Sequence, residues 1–242
     1  MKKALIVGGS NGIGLAIAMS LCQEYDITII DKANPDSQIK SLVHFHQFDL
    51  ESSDYSIFDN YVDIDLLMIT AGFGSLSLFQ NIDESLITKY FQINTISVIR
   101  IIKHFYQRLL APTDFYCGVM VSIAGFMSSP LFSIYGATKA ALKIFIESIN
   151  VELEKAGSNN RVLNVSPGSI KGTKFNEDKE NNTSLTIPLA HEIVNHLYQK
   201  DDLFIPQYDE IFAEVLERYH KDFRAEGLHS YDFKIKSGRI KV

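Results

Sequence analysis

The stretch Ala4-Leu5-Ile6-Val7-Gly8-Gly9-Ser10-Asn11-Gly12-Ile13-Gly14-Leu15-Ala16-Ile17 decides how this chain folds. Four apolar residues in a row fit a strand buried on both faces, as in a parallel sheet. The run stops at Gly8-Gly9, too early for the core of a signal peptide despite Lys2 and Lys3 before it. A helical pattern follows at once, with Ile13, Ala16, Ile17 and Leu21 on one side. Strand, glycine loop and helix in this order leave free N–H groups at a helix start, where an anion is welcome.

A dinucleotide pyrophosphate needs such a place, and glycines let it approach the backbone. Gly8, Ser10, Asn11, Gly12, Ile13 and Gly14 are therefore candidate cofactor contacts. The spacing is GxxxGxG, not GxGxxG, and a tight turn with no ligand would look similar. Asp31 adds weight. It follows the apolar run Ile27–Ile30, where a carboxylate accepts hydrogen bonds from an adenosine ribose and repels a 2′-phosphate. A turn-capping aspartate is the plainer alternative. No Lys or Arg lies in the glycine loop, so NAD(H) is the preferred cofactor, with NADP(H) possible because Lys32 is adjacent.

Outward from this unit, short apolar runs alternate with helical patterns, the mark of βαβ units. Strands are expected at Ala4–Val7, Ile27–Ile30, His44–Phe48, Leu66–Thr70, Val119–Ser122, Val162–Val165 and Leu203–Ile205. Helices are expected at Gly12–Glu24, Glu84–Leu110, Ser133–Lys155, Leu189–Lys200 and Tyr208–Phe223, with one or two turns near Asp36–Ser41 and Tyr55–Tyr61. The fold class is α/β: a Rossmann-type doubly wound parallel sheet in a single domain, 1–242. A lid loop is expected at about 169–188, and a C-terminal helix with a solvated basic tail (Lys234, Lys236, Arg239, Lys241) at 208–242.

The 242 residues are 46% hydrophobic and 21% charged, enough to build one core without disulfides or metals. The net charge of −6 argues against nucleic acid as a partner, and no apolar run reaches membrane-spanning length. Cys22 and Cys117 form no CxxC pair and read as reduced residues of a cytoplasmic protein. No metal site is expected. His191 and His196 are five apart, which turns them about 140° from each other on a helix. His44 and His46 share a strand face but have no further ligands nearby.

Chemistry enters at Tyr135-Gly136-Ala137-Thr138-Lys139. Residues i and i+4 share a helix face, so a phenol and an ammonium stand together. A nearby positive charge favours the phenolate, and a tuned tyrosine can take or give the proton when alcohol and carbonyl interconvert. With 11 tyrosines and 17 lysines, chance alone supplies about 0.8 such patterns, so the surroundings must carry the claim. Ser122 closes an apolar strand pattern 13 residues earlier, at the strand end where parallel sheets place ligands. Asn94 lies inside a long helical pattern, a poor place for asparagine without a reason.

In order along the chain, Gly8…Gly12-Ile13-Gly14, Asp31, Asp49-Leu50, Ala71-Gly72, Asn94, Ser122-Ile123-Ala124-Gly125, Tyr135…Lys139 and Pro167-Gly168 resemble the short-chain dehydrogenase/reductase family over about residues 1–200. The resemblance implies an NAD(P)-dependent oxidoreductase that interconverts a secondary alcohol and a carbonyl. Tyr135 would be the general acid/base. Lys139 would lower its pKa and bind the nicotinamide ribose, Ser122 orient the substrate oxygen and Asn94 hold a water. Asp49 and Leu50 would flank the adenine, and the backbone near Ile170 would touch the carboxamide. The helices Glu84–Leu110 and Ser133–Lys155 resemble the pair through which the family dimerises, so a homodimer or homotetramer is expected.

Some positions depart from the pattern. Val7 replaces a usual threonine, Ile69-Thr70 replaces Asn-Asn, and Thr173 stands one place late after Pro167-Gly168. Two other readings compete. A nucleotide-sugar epimerase or dehydratase usually carries GxxGxxG and a larger substrate domain. A non-enzymatic dinucleotide-binding regulatory protein would have no use for Asn94, Ser122, Tyr135 and Lys139 together. The substrate is not legible, although Lys171 and Lys174 in the lid admit an anionic one.

Overall fold

β1 (Lys2–Val7) lies at the centre of a seven-stranded sheet in a computed structural model that describes residues 1–173, 175 and 181–237. On one side of it run β2 (Tyr25–Asp31) and β3 (His44–Gln47). On the other run β4 (Leu66–Ile69), β5 (Tyr116–Met120), β6 (Val162–Val165) and β7 (Leu203–Phe204). The order is β3-β2-β1-β4-β5-β6-β7 and every pairing is parallel. The chain leaves β1 in one direction and returns to its other side with β4. That switch point opens a crevice at the carboxyl ends of the strands.

Alternation along β1 builds two cores. Ala4 and Ile6 face α1 (Gly12–Leu21) and α5 (Thr183–Gln199), packing with Leu15, Ile17, Ile193 and Leu197. Leu5 and Val7 face α3 (Ser97–Leu110) and α4 (Ser133–Lys155), packing with Ile101, Phe105, Leu142 and Ile146. Each fully buried Leu, Ile or Phe contributes about 1.5–3 kcal/mol, so the two layers fix the sheet firmly beneath the crevice.

Several expected elements differ. The long helix Glu84–Leu110 is three pieces: α2 (Glu84–Phe91), a π-helical turn over Gln92–Ile96, and α3. Apolar spacing alone does not reveal a π turn, which rewinds the helix without breaking it. β5 ends at Met120, so Ser122 lies beyond the strand and caps a 3-10 turn, Ile123–Gly125. Asp36–Ser41 forms hydrogen-bonded turns, not a helix, while Ser56–Tyr61 is 3-10.

α5 begins at Thr183, so the loop expected to reach 188 is shorter than expected, and Pro188 sits inside the helix. The remainder of that loop is described only at 169–173, 175 and 181–182, and Lys174 lies outside the described residues.

The C-terminal end departs most. Tyr208–Phe212 is a π turn, α6 spans Ala213–Lys221, and Asp222 breaks the chain by capping the N–H groups of Arg224 and Ala225 at 3.0 Å. α7 (Phe223–Lys236) then occupies what read as a solvated tail. Lys234 Nζ donates to Ser129 Oγ (3.0 Å) and the Pro130 carbonyl (2.9 Å), so the helix is tied down on the 128–130 loop. Arg239 and Lys241 lie outside the described residues.

Candidate active site

The glycine loop is built by close backbone approach. Gly8 has φ +89°, and a Cβ there would stand 2.4 Å from the Ala71 nitrogen. A Cβ on Gly14 would stand 2.4 Å from both the Gly8 carbonyl oxygen and Thr70 Oγ1. Only hydrogen fits at either place. Thr70, one of the two departures before Ala71-Gly72, supplies its own bonds here, donating to the Gly8 carbonyl at 2.9 Å and the Val7 carbonyl at 3.2 Å.

Asn11 precedes α1 and accepts the Leu15 N–H on its carbonyl, leaving the side chain without a capping bond. Ile13 lies in the first turn of α1. The Gly12 N–H donates to Asn181 Oδ1 at 2.9 Å, and Asn181 Nδ2 donates to Asp36 Oδ2 at 3.1 Å. An oxygen acceptor thus already stands where an anion's oxygen would, which fits the loop as a pyrophosphate cradle. Thr173, despite its late position, lies against the same loop: a Cβ on Gly12 would be 3.7 Å from its Cβ.

Asp31 ends β2 and holds the loop in shape. Its Oδ2 accepts the Ser10 N–H and its Oδ1 the Ala33 N–H, both at 3.1 Å. Ser10 Oγ donates to the Ala33 carbonyl at 2.7 Å. Lys32 is paired with Asp49 at 2.7 Å, and that ammonium holds the Asp49 carboxyl below its usual range. Leu50 is buried beside it, with its carbonyl accepting the Tyr55 hydroxyl at 2.8 Å.

The catalytic candidates converge at the ends of β4, β5 and β6. The π turn carries Asn94 inward, fully buried. Its Oδ1 accepts the Phe73 N–H and its Nδ2 donates to the Phe73 carbonyl, each at 2.9 Å. Lys139 is also buried and donates from Nζ to the Met120 carbonyl at 2.9 Å. The two meet over Gly72, where an added Cβ would lie 3.2 Å from Asn94 Oδ1 and 3.6 Å from Lys139 Nζ. Thr138, unmarked in the sequence reading, links the group: it donates to the Tyr135 carbonyl at 2.7 Å and accepts from Asn94 Nδ2 at 3.3 Å. Ser122 Oγ accepts the Ala124 N–H at 3.1 Å and reaches the Pro167 carbonyl at 3.5 Å. Gly168 follows, so close to the Phe212 ring that a Cβ would stand 2.6 Å away. Ile170 accepts the Thr173 hydroxyl on its carbonyl at 2.9 Å.

The electrostatics depart from the expectation that Lys139 sets the tyrosine. Burial pushes the Tyr135 phenol up to about 12, with a hydrogen bond from Ser122 working the other way. Burial pushes the Lys139 ammonium down to about 8. Lys139 Nζ stands 5.6 Å from the Tyr135 ring centroid and is tied to a carbonyl, and desolvation is the largest influence on both groups.

Around the phenol lies a ring of aromatics missed by sequence reasoning. Phe132 and Tyr135 have centroids 4.9 Å apart, Tyr135 and Phe175 5.4 Å, and Phe132 and Phe175 stack at 6.4 Å. Phe73 stacks on Tyr90 at 4.4 Å. The i, i+3 spacing of Phe132 and Tyr135 was a readable signal, whereas Phe175 comes from a distant loop. The histidine pairs form no common site: His44 pairs with Asp26, His46 meets the Tyr61 ring, and His196 pairs with Asp201.

A tyrosine–lysine pair at the carboxyl ends of a doubly wound sheet, above a glycine cradle, defines a class of oxidoreductases. The family model for short chain dehydrogenases matches residues 2–184, and the chain belongs to that family. An uncharacterised oxidoreductase of Bacillus subtilis is 31% identical over 180 residues, 69% of this chain and 68% of that protein. An L-rhamnose 1-dehydrogenase (NADP(+)) of Thermoplasma acidophilum is 25% identical over 222 residues, 85% of this chain and 87% of the relative. Among solved structures, a short-chain dehydrogenase from Streptomyces avermitilis superposes with a TM-score of 0.78 at 18% identity, covering 98% of this chain and 100% of that one. An alcohol dehydrogenase from Thermococcus sibiricus, solved with 5-hydroxy-NADP, gives 0.70 at 21% identity over 85% of this chain and 95% of its own.

Proposed function

We propose that this oxidoreductase interconverts a secondary alcohol and its carbonyl, using NAD(H) in preference to NADP(H), with Tyr135 as general acid/base. The observation that carries the reading is the buried phenol of Tyr135, one turn from the buried Lys139, with Ser122 near enough to draw its pKa down. Gly8, Gly12 and Gly14 would hold the pyrophosphate, Asp31 the adenosine ribose, Asp49 and Leu50 the adenine, and Lys139 the nicotinamide ribose. Ala71, Gly72, Pro167, Gly168 and Ile170 would line the nicotinamide end. When bound, the dinucleotide supplies or accepts the hydride.

The chain's own residues manage the proton. Ser122 orients the substrate oxygen, and Tyr135 gives or takes its proton. With a phenol at about 12, the neutral tyrosine is ready to donate. Acting as a base requires a positive charge brought beside it, which lowers that value. Asn94 keeps the Phe73 backbone, and hence the floor of the site, in place. Support for NAD(H) is local: the Asp31 carboxylate would meet a 2′-phosphate, and Lys32, the adjacent cation, is engaged by Asp49.

Assembly as a homodimer or homotetramer in the cytoplasm completes the proposal. A groove of about 430 Å³ between α3 and α4 is lined by Ile99, Tyr106, Phe145 and Ile149, with Ile144 and Val151 exposed nearby. A sharp monomer peak in light scattering would sink that part.

The test of function is a fluorescence titration with NADH and, separately, NADPH, followed by turnover of wild type and Tyr135→Phe. NADH should bind more tightly. Tyr135→Phe should keep that affinity and lose roughly 10²–10⁴-fold in kcat/KM. Binding of neither dinucleotide would refute the reading, and NADH binding without turnover of any carbonyl would favour the dinucleotide-binding regulatory protein.

A further inference from the structure

We infer that Phe212 is a positioning residue for the candidate active site: its ring fills the side-chain space of Gly168 and so holds the Pro167 carbonyl on which the backbone beside Ser122 rests. The inference rests on the oxidoreductase reading above, in which Ser122 orients the substrate oxygen.

Ser122 stands beyond Met120 and Val165, the last paired residues of β5 and β6. Two hydrogen bonds continue the pairing on either side of it. The Val121 N–H donates to the Val165 carbonyl at 2.7 Å, and the Ile123 N–H to the Pro167 carbonyl at 3.1 Å. The same Pro167 carbonyl lies 3.5 Å from Ser122 Oγ. The first anchor belongs to the sheet, and the second does not. β6 ends at Val165, the Ser166 N–H reaches the Phe204 carbonyl at 2.8 Å, and Pro167 has no N–H with which to hold itself. The place of its carbonyl then depends on what flanks the next residue.

That residue is Gly168, and Phe212 lies against it. A Cβ added to Gly168 would stand 2.6 Å from Phe212 Cζ, and 3.4 and 3.7 Å from its Cε2 and Cε1. The tip of the ring points at the glycine, in the space a side chain at 168 would need. Phe212 belongs to neither of the two cores that cover the sheet, so packing of the sheet does not account for it.

Local geometry aims the ring. Gln207 is left-handed, with φ +59°, and its carbonyl accepts the N–H groups of both Ile211 (3.0 Å) and Phe212 (3.3 Å) at the start of the π turn. Behind Phe212, Arg218 bonds the buried Glu226 at 2.7 Å and ties α6 to α7, while Lys234 ties α7 to the 128–130 loop. One C-terminal unit thus grips both segments around this hydroxyl: the residue after Pro167 and the loop between Gly125 and Tyr135. A shift of about 1 Å in a group that orients the substrate can cost about a hundredfold in rate. Phe212 therefore acts on turnover through the backbone.

The experiment uses Phe212→Ala, Phe212→Leu, Gly168→Ala, and Phe212→Ala combined with Gly168→Ala. Amide hydrogen exchange of the ligand-free protein, followed by NMR, reads the Ile123 N–H directly. The kcat and KM for NADH-driven reduction of 2-butanone, cyclohexanone and acetophenone read the consequence. In Phe212→Ala the Ile123 amide should exchange at least about tenfold faster while the amides of β1 and β4 keep their protection. kcat should fall roughly ten- to a hundredfold with KM little changed, and Phe212→Leu, which keeps an apolar tip, should recover most of the loss. Gly168→Ala alone should also loosen Ile123, because its methyl collides with the ring. In the combined variant the methyl takes the place of the ring tip, and protection should return toward that of the wild type. Ile123 exchange unchanged by Phe212→Ala, exchange quickened equally throughout the sheet, or a Gly168→Ala effect that is the same with and without the ring overturns the inference. Faster Ile123 exchange in Phe212→Ala, with none of the three ketones reduced by the wild type, retains the hold on Ser122 and counts against the oxidoreductase reading alone.

Discussion

Lys139→Met should make the protein relatively more stable at pH 7 than at pH 10, by an amount the structure sets. The ammonium is buried with one hydrogen bond, to the Met120 carbonyl, and its pKa falls from 10.5 to about 8. Each pKa unit is worth about 1.4 kcal/mol, so keeping this group charged in the fold at pH 7 costs about 3 kcal/mol. The folded value lies below the unfolded one. Between pH 8 and pH 10.5 the unfolded chain therefore binds more protons, and the stability of the wild type rises with pH. Methionine has no charge to desolvate, but it leaves the Met120 carbonyl unpaired, a pH-independent cost of about 1–3 kcal/mol.

At pH 7 the two terms nearly cancel or favour the variant. At pH 10 the lysine is mostly neutral, and the difference moves toward the wild type by about 2–3 kcal/mol. Urea unfolding followed by circular dichroism, wild type and variant side by side at the two pH values, measures that shift directly. The same difference at both, to within about 0.5 kcal/mol, would refute the reasoning. It would mean that water reaches the ammonium in solution.

Gly14→Ala should cost about 1–3 kcal/mol of stability, because its methyl must displace the Gly8 carbonyl and the Thr70 hydroxyl, each 2.4 Å from the new carbon. NADH affinity should fall at least about tenfold, since α1 can no longer close on the strand; a thermal melt with an NADH titration checks both. Lys234→Met removes the bonds to Ser129 and Pro130 and should lower Tm by a few degrees, about 1–2 kcal/mol. An unchanged melting curve would mean that α7 is not held to the 129–130 loop in solution.

The sequence carried the sheet because burial leaves a plain trace. Runs such as Ala4–Val7 and Leu66–Ile69 are apolar at every position, as strands covered on both faces must be. Where local chemistry dominated, the reading was good: the glycine loop, and Tyr135 with Lys139 one turn apart on α4. Where the outcome hung on distant partners, it was not. Asp222 offers an ordinary capping side chain, yet the helix after it is held partly by Arg218, whose Nε bonds Glu226 at 2.7 Å, and by Lys234 on the 129–130 loop.

The residues by themselves determined the parallel order of elements, the strand–glycine loop–helix unit and the placing of Tyr135 and Lys139 one turn apart on one helix, since these follow from periodicity and from i, i+4 geometry. Only the tertiary structure decided how those groups titrate and what surrounds them. A pKa depends on how much water the fold removes, and burial here drives Tyr135 up and Lys139 down regardless of their spacing. In the same way Asn181 on the Gly12 amide and Phe175 over Tyr135 are contacts between segments far apart in the chain. Such contacts form only once both cores have closed, so no local pattern of residues encodes them.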